Sequence, residues 1–165
     1  MGFSISNEFE YIKLDDFYGN YYGQAALPMD SEELVYCTND IINSAKVYSL
    51  NETTLKFEEA VIYNKEAYKG IDPYDIFLSG AKPLIVIENE KATSDKELII
   101  FRDSYGSSLA PLLIESYKKI TLVDLRYISN KLFEAYDLVE FNNNQDVLII
   151  NCIDVLNNST TLKVY

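Results

Sequence analysis

Ser104 carries the chemistry this chain could perform. It follows an apolar run, residues 98–101, and the dipeptide Arg102-Asp103, and it precedes Tyr105-Gly106 and a helix-like stretch. A serine hydroxyl at the end of a strand can attack an acyl carbon if a neighbouring base takes its proton, and histidine is the usual base. The chain has no histidine. It therefore offers the nucleophile of an acyl-transfer device without the customary proton acceptor. Asp103 is a conceivable substitute, although alternation along the strand turns it away from its neighbours. Twenty residues on, Asp124-Leu125-Arg126-Tyr127 ends a second apolar run. Arg126 can hold a carboxylate, a sugar hydroxyl or a developing oxyanion, or it can simply pair with Asp103 or Asp124. Gly106 lets the chain turn and a substrate approach, and amides at the start of the following helix suit an oxyanion. Arg102 alternates to the other face from Phe101 and Asp103 and reads as structural. By itself the tetrapeptide DSYG also describes a serine-rich turn capping a helix.

The elements that must place these residues follow from periodicity. Residues 98–101, 120–124 and 147–152 are short continuous apolar runs, the pattern of parallel strands covered on both faces. A further strand covers residues 84–87. Ser107 or Ser108 is expected to cap a helix reaching Tyr117, with Pro111 tolerable near its first turn, and Ser129 to cap another through Tyr136. The expected fold is α/β: an incomplete three-layer, flavodoxin-like parallel sheet over residues 67–165, with Ser104 at a strand tip where such sheets bind ligands. Residues 1–66 read as a β-rich segment, with strands near 9–14, 33–37, 46–49 and 54–62 and an aromatic loop around Gly19 and Gly23. Asp72-Pro73 opens a turn or short helix. The two parts are expected to form one compact unit.

Composition removes several functions. The net charge is −12, from 14 basic and 26 acidic residues, with no basic cluster, so nucleic acid is not expected as a partner and binding to anionic lipid is disfavoured. No run of about 20 apolar residues exists to span a membrane. Cys37 and Cys152 lie far apart, without histidine to complete a zinc site, so no metal is expected. Cys152 reads as an inert thiol in a buried strand. No glycine-rich phosphate loop follows a strand, so no nucleotide or other cofactor is expected. An acidic receiver-like pocket from Asp103 and Asp124 lacks the lysine it would need at a later strand tip.

Two blocks, FLSGAKPLIVIEN and ELIIFRDSYGSSLAPLLIESYKKITLVDLRY, together resemble the C-terminal half of the DHHW family, over roughly residues 74–150. That family is similar to the SGNH hydrolases and to bacterial acetyltransferases that O-acetylate exported polysaccharides such as alginate. The resemblance implies an SGNH-like esterase or polysaccharide O-acetyltransferase fold, with Ser104 as nucleophile and Arg126 beside it. It places the turn of Gly80 at the oxyanion site, and Tyr105, Gly106 and Asp124, from their positions at the strand tips, are expected in the same oxyanion and substrate region. It also implies an extracellular or cell-envelope address in bacteria, although this chain shows no signal segment. The Asp-His-His-Trp motif that names the family does not occur here, and of the glycine, asparagine and histidine usual in the turn at residues 79–82 only Gly80 remains.

Two explanations fit these departures: a C-terminal portion of a longer protein whose acid–base pair lies elsewhere, or a non-catalytic relative. The isolated chain is expected to be inactive as an esterase, its substrate being an acyl ester or a polysaccharide. The competing reading is a glycan-binding or cell-surface module, suggested by Tyr18, Tyr21 and Tyr22. An exposed sheet edge is expected to pair with a second copy.

Overall fold

The computed structural model describes residues 8–19, 28–128, 137 and 139–158. Strands β1 (Glu10–Phe17) and β2 (Glu32–Thr38) form an antiparallel hairpin. Helix α1 (Asp40–Ser44), capped by the Asn39 side chain, leads into β3 (Lys46–Leu50) and β4 (Phe57–Ala60). Then come β5 (Leu84–Glu88), β6 (Glu97–Arg102), helix α2 (Ser104–Leu113), β7 (Lys119–Val123), β8 (Gln145–Ile150) and helix α3 (Ile153–Asn157). The helix expected from Ser129 lies outside the described residues.

The fold is α/β, a six-stranded sheet in the order β4-β3-β5-β7-β6-β8 beside the hairpin. The three apolar runs form β6, β7 and β8, and they are parallel: Ile99 sits beside Thr121 on one side and Val147 on the other. The sheet then continues antiparallel, through β5 against β7, β3 against β5 and β4 against β3. Strands β3 and β4, from the first 66 residues, thus share one sheet with β5 to β8. A run such as LIVIE is buried by its central position whichever way it points, so continuous apolarity marks burial rather than direction.

Each face of the sheet has its own core. Leu98 and Ile100 of β6, Ile120 and Leu122 of β7 and Ile85 and Ile87 of β5 pack with Ala110 and Ile114 from α2 and the turn after it. On the opposite face Ile99, Val123, Leu84 and Leu50 pack with Ile128 and Val139. Strand β8 departs from the expected double burial. Leu148 and Ile150 face the first core, while Val147 and Ile149 are 57% and 70% exposed. A strand that ends a sheet has a neighbour on one side only, and its outer rim stays in water.

The hairpin is held by tyrosines. Tyr36, Ile76 and Phe77 form a third cluster with Ile12, Leu14, Leu34, Tyr63, Tyr68 and Tyr74. The Tyr63 hydroxyl donates to the Cys37 carbonyl at 2.6 Å, and burial raises its pKa. The Tyr68 hydroxyl donates to the Asp15 carbonyl at 2.7 Å. These rings bury area while their hydroxyls satisfy backbone carbonyls, a structural use of the tyrosine-rich first half.

Candidate active site

Helix α2 starts at Ser104 itself, four or five residues earlier than a Ser107 or Ser108 cap would place it. The cap is Asp103, whose Oδ1 accepts from the Tyr105 amide at 2.9 Å. Its Oδ2 accepts from the Cys152 amide at 2.5 Å. Asp103 is 1% exposed, with both oxygens on backbone N–H groups. It is therefore a buried anchor and is not placed to take a proton from Ser104. The strong N-cap preference of aspartate explains why it prevails over the serines downstream.

Ser104 is exposed at the C-terminal end of β6, the middle strand of the parallel three. It lines a cavity of about 550 Å³ together with Gly80, Arg102, Tyr105, Arg126 and Cys152. The cavity wall also carries Phe17 from the hairpin and Asp72, Tyr74, Asp75 and Tyr127. Of the residues singled out from sequence, Ser104, Arg126, Tyr105 and Gly80 thus meet in one cavity, and Gly106 and Asp124 stand directly behind it.

Those two have clear positions. Gly106 is buried, and its amide donates to the Asp103 carbonyl at 3.1 Å. A Cβ there would lie 2.5 Å from Arg102 Cβ and 2.9 Å from its Cγ. The glycine lets α2 descend onto β6. Asp124 has no exposed surface and grips Arg126 with two bonds, Oδ1 from Nε at 2.9 Å and Oδ2 from Nη2 at 2.6 Å. It also accepts from the Arg126 amide at 3.1 Å. The bond to Asp124 raises the Arg126 pKa, opposed by burial. The guanidinium is fixed in a two-point fork, a quarter exposed, and lies 5.3 Å from the Tyr127 ring centre.

Arg102 and Asp75 were not singled out for the site. Arg102 is 3% exposed; its Nη1 donates to Ser107 Oγ at 2.7 Å and to the Asp103 carbonyl at 3.3 Å. Its Nε is buried without a partner. Burial lowers its pKa and Arg126 adds to that, while Asp124 and Asp103 oppose. Alternation correctly sent this side chain to the face away from Phe101, but that face leads under the cavity floor. The Asp75 carboxyl abuts Gly80, so closely that a Cβ at residue 80 would overlap its Oδ1. Burial raises its pKa, Asp72 adds to that, and Lys82 pulls it back.

The turn that brings Gly80 to the site is strained. Leu78, Ser79 and Gly80 have φ of 55°, 60° and 82°, a left-handed run that is unfavourable for the first two. Leu78 is held by burial and by its amide on the Ile62 carbonyl at 2.9 Å, and Ser79 Oγ by Asn64 Nδ2 at 3.0 Å. Strain kept in place by surrounding packing is a frequent property of functional loops. The hydroxyl of Tyr74, a residue of the cavity wall, donates to Ser108 Oγ at 2.6 Å, and burial raises the Tyr74 pKa.

Cys152 is only half-buried; it follows β8, caps α3 and lines the cavity, so it is not the core strand thiol expected from its apolar neighbours. Cys37 and Cys152 are both free thiols. Among the described residues no group of three or more His, Cys, Asp or Glu side chains could hold a metal ion, and no helix is long and apolar enough to cross a membrane.

No protein-family model matches the sequence, and no curated protein matches it. Solved structures do. A DHHW family protein from Eubacterium siraeum superposes with a TM-score of 0.65 at 20% identity, covering 94% of this chain and 50% of that one. PatB1 of Bacillus cereus superposes with TM-scores of 0.64, in the structure with a sulfonyl adduct, and 0.63. Identities there are 20% and 21%, over 90% of this chain and 48% and 50% of PatB1. The chain spans about half the length of the proteins whose fold it shares. The α/β fold is that of a DHHW family protein and of PatB1.

Proposed function

We propose that this chain is the serine-bearing part of an SGNH-like esterase or O-acyltransferase, with Ser104 as nucleophile. The observation that carries the reading is the exposed Ser104 hydroxyl at the tip of the middle parallel strand, at the N-terminus of a ten-residue helix and in one cavity with a fixed guanidinium. Ser104 Oγ would bond to the acyl carbon of an ester while its proton passes to a base. Charge on the carbonyl oxygen would be met by the Arg126 guanidinium, the Tyr105 and Gly106 amides being already engaged by Asp103, and the alcohol would leave as the carbonyl re-forms. A second hydroxyl, of water or of a polysaccharide, would then take the acyl group from Ser104. The chain holds no imidazole and Asp103 is already engaged by two backbone amides, so in this reading a base from beyond these 165 residues takes the proton. An envelope or extracellular address belongs to the same proposal.

Chemical rescue tests this directly. The chain is treated with a sulfonyl fluoride, the reagent class suggested by the adduct on PatB1, with and without free imidazole as the missing base. Peptide mass mapping should find the sulfonyl group on Ser104 only when imidazole is present, and nowhere in Ser104→Ala. Label spread evenly over the tyrosines and lysines, with none on Ser104, removes the reading.

A second reading is a glycan-binding cleft without catalysis, favoured by Tyr105 and Tyr127. Both line the cavity and are 55% and 47% exposed, leaving ring faces for a sugar. Tyr21 and Tyr22, which first suggested this, lie outside the described residues. Glycan-array binding that vanishes with Tyr105→Ala but survives Ser104→Ala would favour this alternative.

A further inference from the structure

We infer that Arg102 is a positioning residue for Ser104, holding the nucleophile's backbone against the turn that carries Gly80, a role that rests on the acyl-transfer reading for its chemistry but not for its geometry. Arg102 is the last residue of β6 and lies 3% exposed beneath the cavity. Its guanidinium serves three acceptors. Nη1 donates to the Asp103 carbonyl at 3.3 Å and to Ser107 Oγ at 2.7 Å, and Nη2 donates to the Lys82 carbonyl at 3.5 Å. The Asp103 carbonyl belongs to the peptide group that precedes Ser104. Ser107 lies in the first turn of α2 and is 2% exposed. Lys82 follows the left-handed run of residues 78–80. One planar group thus reaches the peptide before the serine, the first turn of its helix and the turn that brings Gly80 to the same cavity.

Packing alone does not explain a charge at this place. The contact under Gly106 is made by the aliphatic stem, whose Cβ, Cγ and Cδ are the atoms nearest that glycine. A hydrophobic residue of similar size could supply the same stem, and replacing a buried ionic group in that way is often neutral or stabilising. The guanidinium head instead goes to residues 82, 103 and 107, which lie on either side of the nucleophile's position. The stem sets the height of α2 over β6, and the head sets its lateral position against the Gly80 turn. This is a task for a rigid fork rather than for a positive charge as such. Lysine would keep the charge on a flexible stem but could not hold several acceptors in one plane. A positioning role and a purely electrostatic role therefore differ in what they predict for lysine.

Two readouts on the 165-residue chain test the assignment: the rate of sulfonyl labelling at Ser104 in the presence of imidazole, and the backbone amide resonances. Arg102→Met keeps the stem and removes the fork, and Arg102→Lys keeps the charge and removes the fork. Both should label Ser104 at least about tenfold more slowly than wild type, since a displacement of ~1 Å at a reacting atom can cost about a hundredfold. The resonances of residues 79–82 and 103–107 should move, while those of Ile99 and Ile100 in the core of β6 stay in place. Ser107→Ala removes one acceptor without touching the strand. It should slow labelling less than Arg102→Met does, and the double mutant should be no slower than Arg102→Met alone. Variants that label at the wild-type rate with those resonances unmoved overturn the assignment. So does an Arg102→Lys protein that matches wild type while Arg102→Met does not, because the role would then be one of charge. Loss of resonance dispersion throughout the chain in both variants makes Arg102 a stability residue only and also overturns it. A wild-type chain with no label on Ser104 removes the acyl-transfer reading instead, and the resonance shifts then decide the geometry by themselves.

Discussion

Replacing Gly106 by alanine should destabilise the protein, although the position lies inside a helix where alanine is intrinsically better. Glycine in a helix interior costs roughly 0.5–1 kcal/mol relative to alanine, so propensity alone predicts a gain of that size. The structure argues the opposite. The new methyl would lie 2.5 Å from Arg102 Cβ, 2.9 Å from Cγ and 3.2 Å from Cδ. Cβ cannot swing away as a side-chain end can, because it is fixed to the backbone of β6. Overpacking costs about 1–3 kcal/mol; a 2.5 Å contact falls in the upper part of that range, about 2–3 kcal/mol, so after about 1 kcal/mol of propensity gain a net loss of about 1–2 kcal/mol remains. For a chain of this size that is a fall of roughly 2–8 °C in Tm, at about 2–4 °C per kcal/mol. Thermal unfolding followed by circular dichroism reads the effect. Arg102→Ala in the same background removes the Cγ and Cδ overlaps but keeps Cβ. The double mutant should therefore be less unstable than the sum of the singles, by at least ~0.5 kcal/mol. A Gly106→Ala protein as stable as wild type, or more so, would show that α2 does not rest on Arg102 and that the serine's placement does not depend on that contact.

Other substitutions separate structure from chemistry. Ser104→Ala should leave stability within about 0.5 kcal/mol, because the hydroxyl is exposed, so any functional loss is chemical; a large drop in denaturation midpoint would make Ser104 structural. Arg126→Ala strips the partner from a carboxylate with no exposed surface, at a cost of about 3 kcal/mol in urea unfolding, and a loss under 1 kcal/mol would contradict the buried pair. The Asp75 carboxyl has a pKa raised above the ordinary aspartate value of 3.8, mainly by burial. The folded state therefore holds its proton more tightly than the unfolded chain, and stability falls as pH rises from 3.8 through the folded pKa. Asp75→Asn should be the more stable protein at neutral pH, with the advantage gone below pH 3.8; parallel Tm–pH curves for the two proteins would refute this. Asp103→Ala removes both a helix cap and the acceptor for a buried amide, for a loss of about 2–4 kcal/mol that also perturbs Cys152 backbone resonances.

The parallel heart of the sheet and the strand-tip serine were legible because both depend on local pattern. ELIIFR, KITLV and the VLII of β8 are unbroken apolar runs, and a serine after such a run falls at its tip. The antiparallel attachment of β5 was not legible, since LIVIE has the same texture whichever way it runs. Nor was the union of β3 and β4 with the rest of the sheet, because pairing Val47 with Ile87 depends on contacts forty residues apart that no local window contains. The edge position of β8 was hidden by Leu148 and Ile150, whose burial makes the run look buried throughout. At the site, Asp103 was read as a candidate base because its type allows it. The Cys152 amide that occupies it is 49 residues away in the chain. Arg102 and Asp75 were passed over for a similar reason: whether a side chain reaches a cavity is decided by the opposite wall.

The Asp103 carboxylate is a mechanical linkage as well as a cap. One oxygen holds the Tyr105 amide in the first turn of the nucleophile's helix and the other holds the Cys152 amide, two residues past the end of β8. The segment after the outermost strand is thereby joined to the start of the nucleophile's helix by two hydrogen bonds that bypass the hydrophobic layers. Alkylating the thiol at 152, or clamping β8 from outside, acts on the same lever. The orientation of the serine is in that sense adjustable from the rim of the molecule.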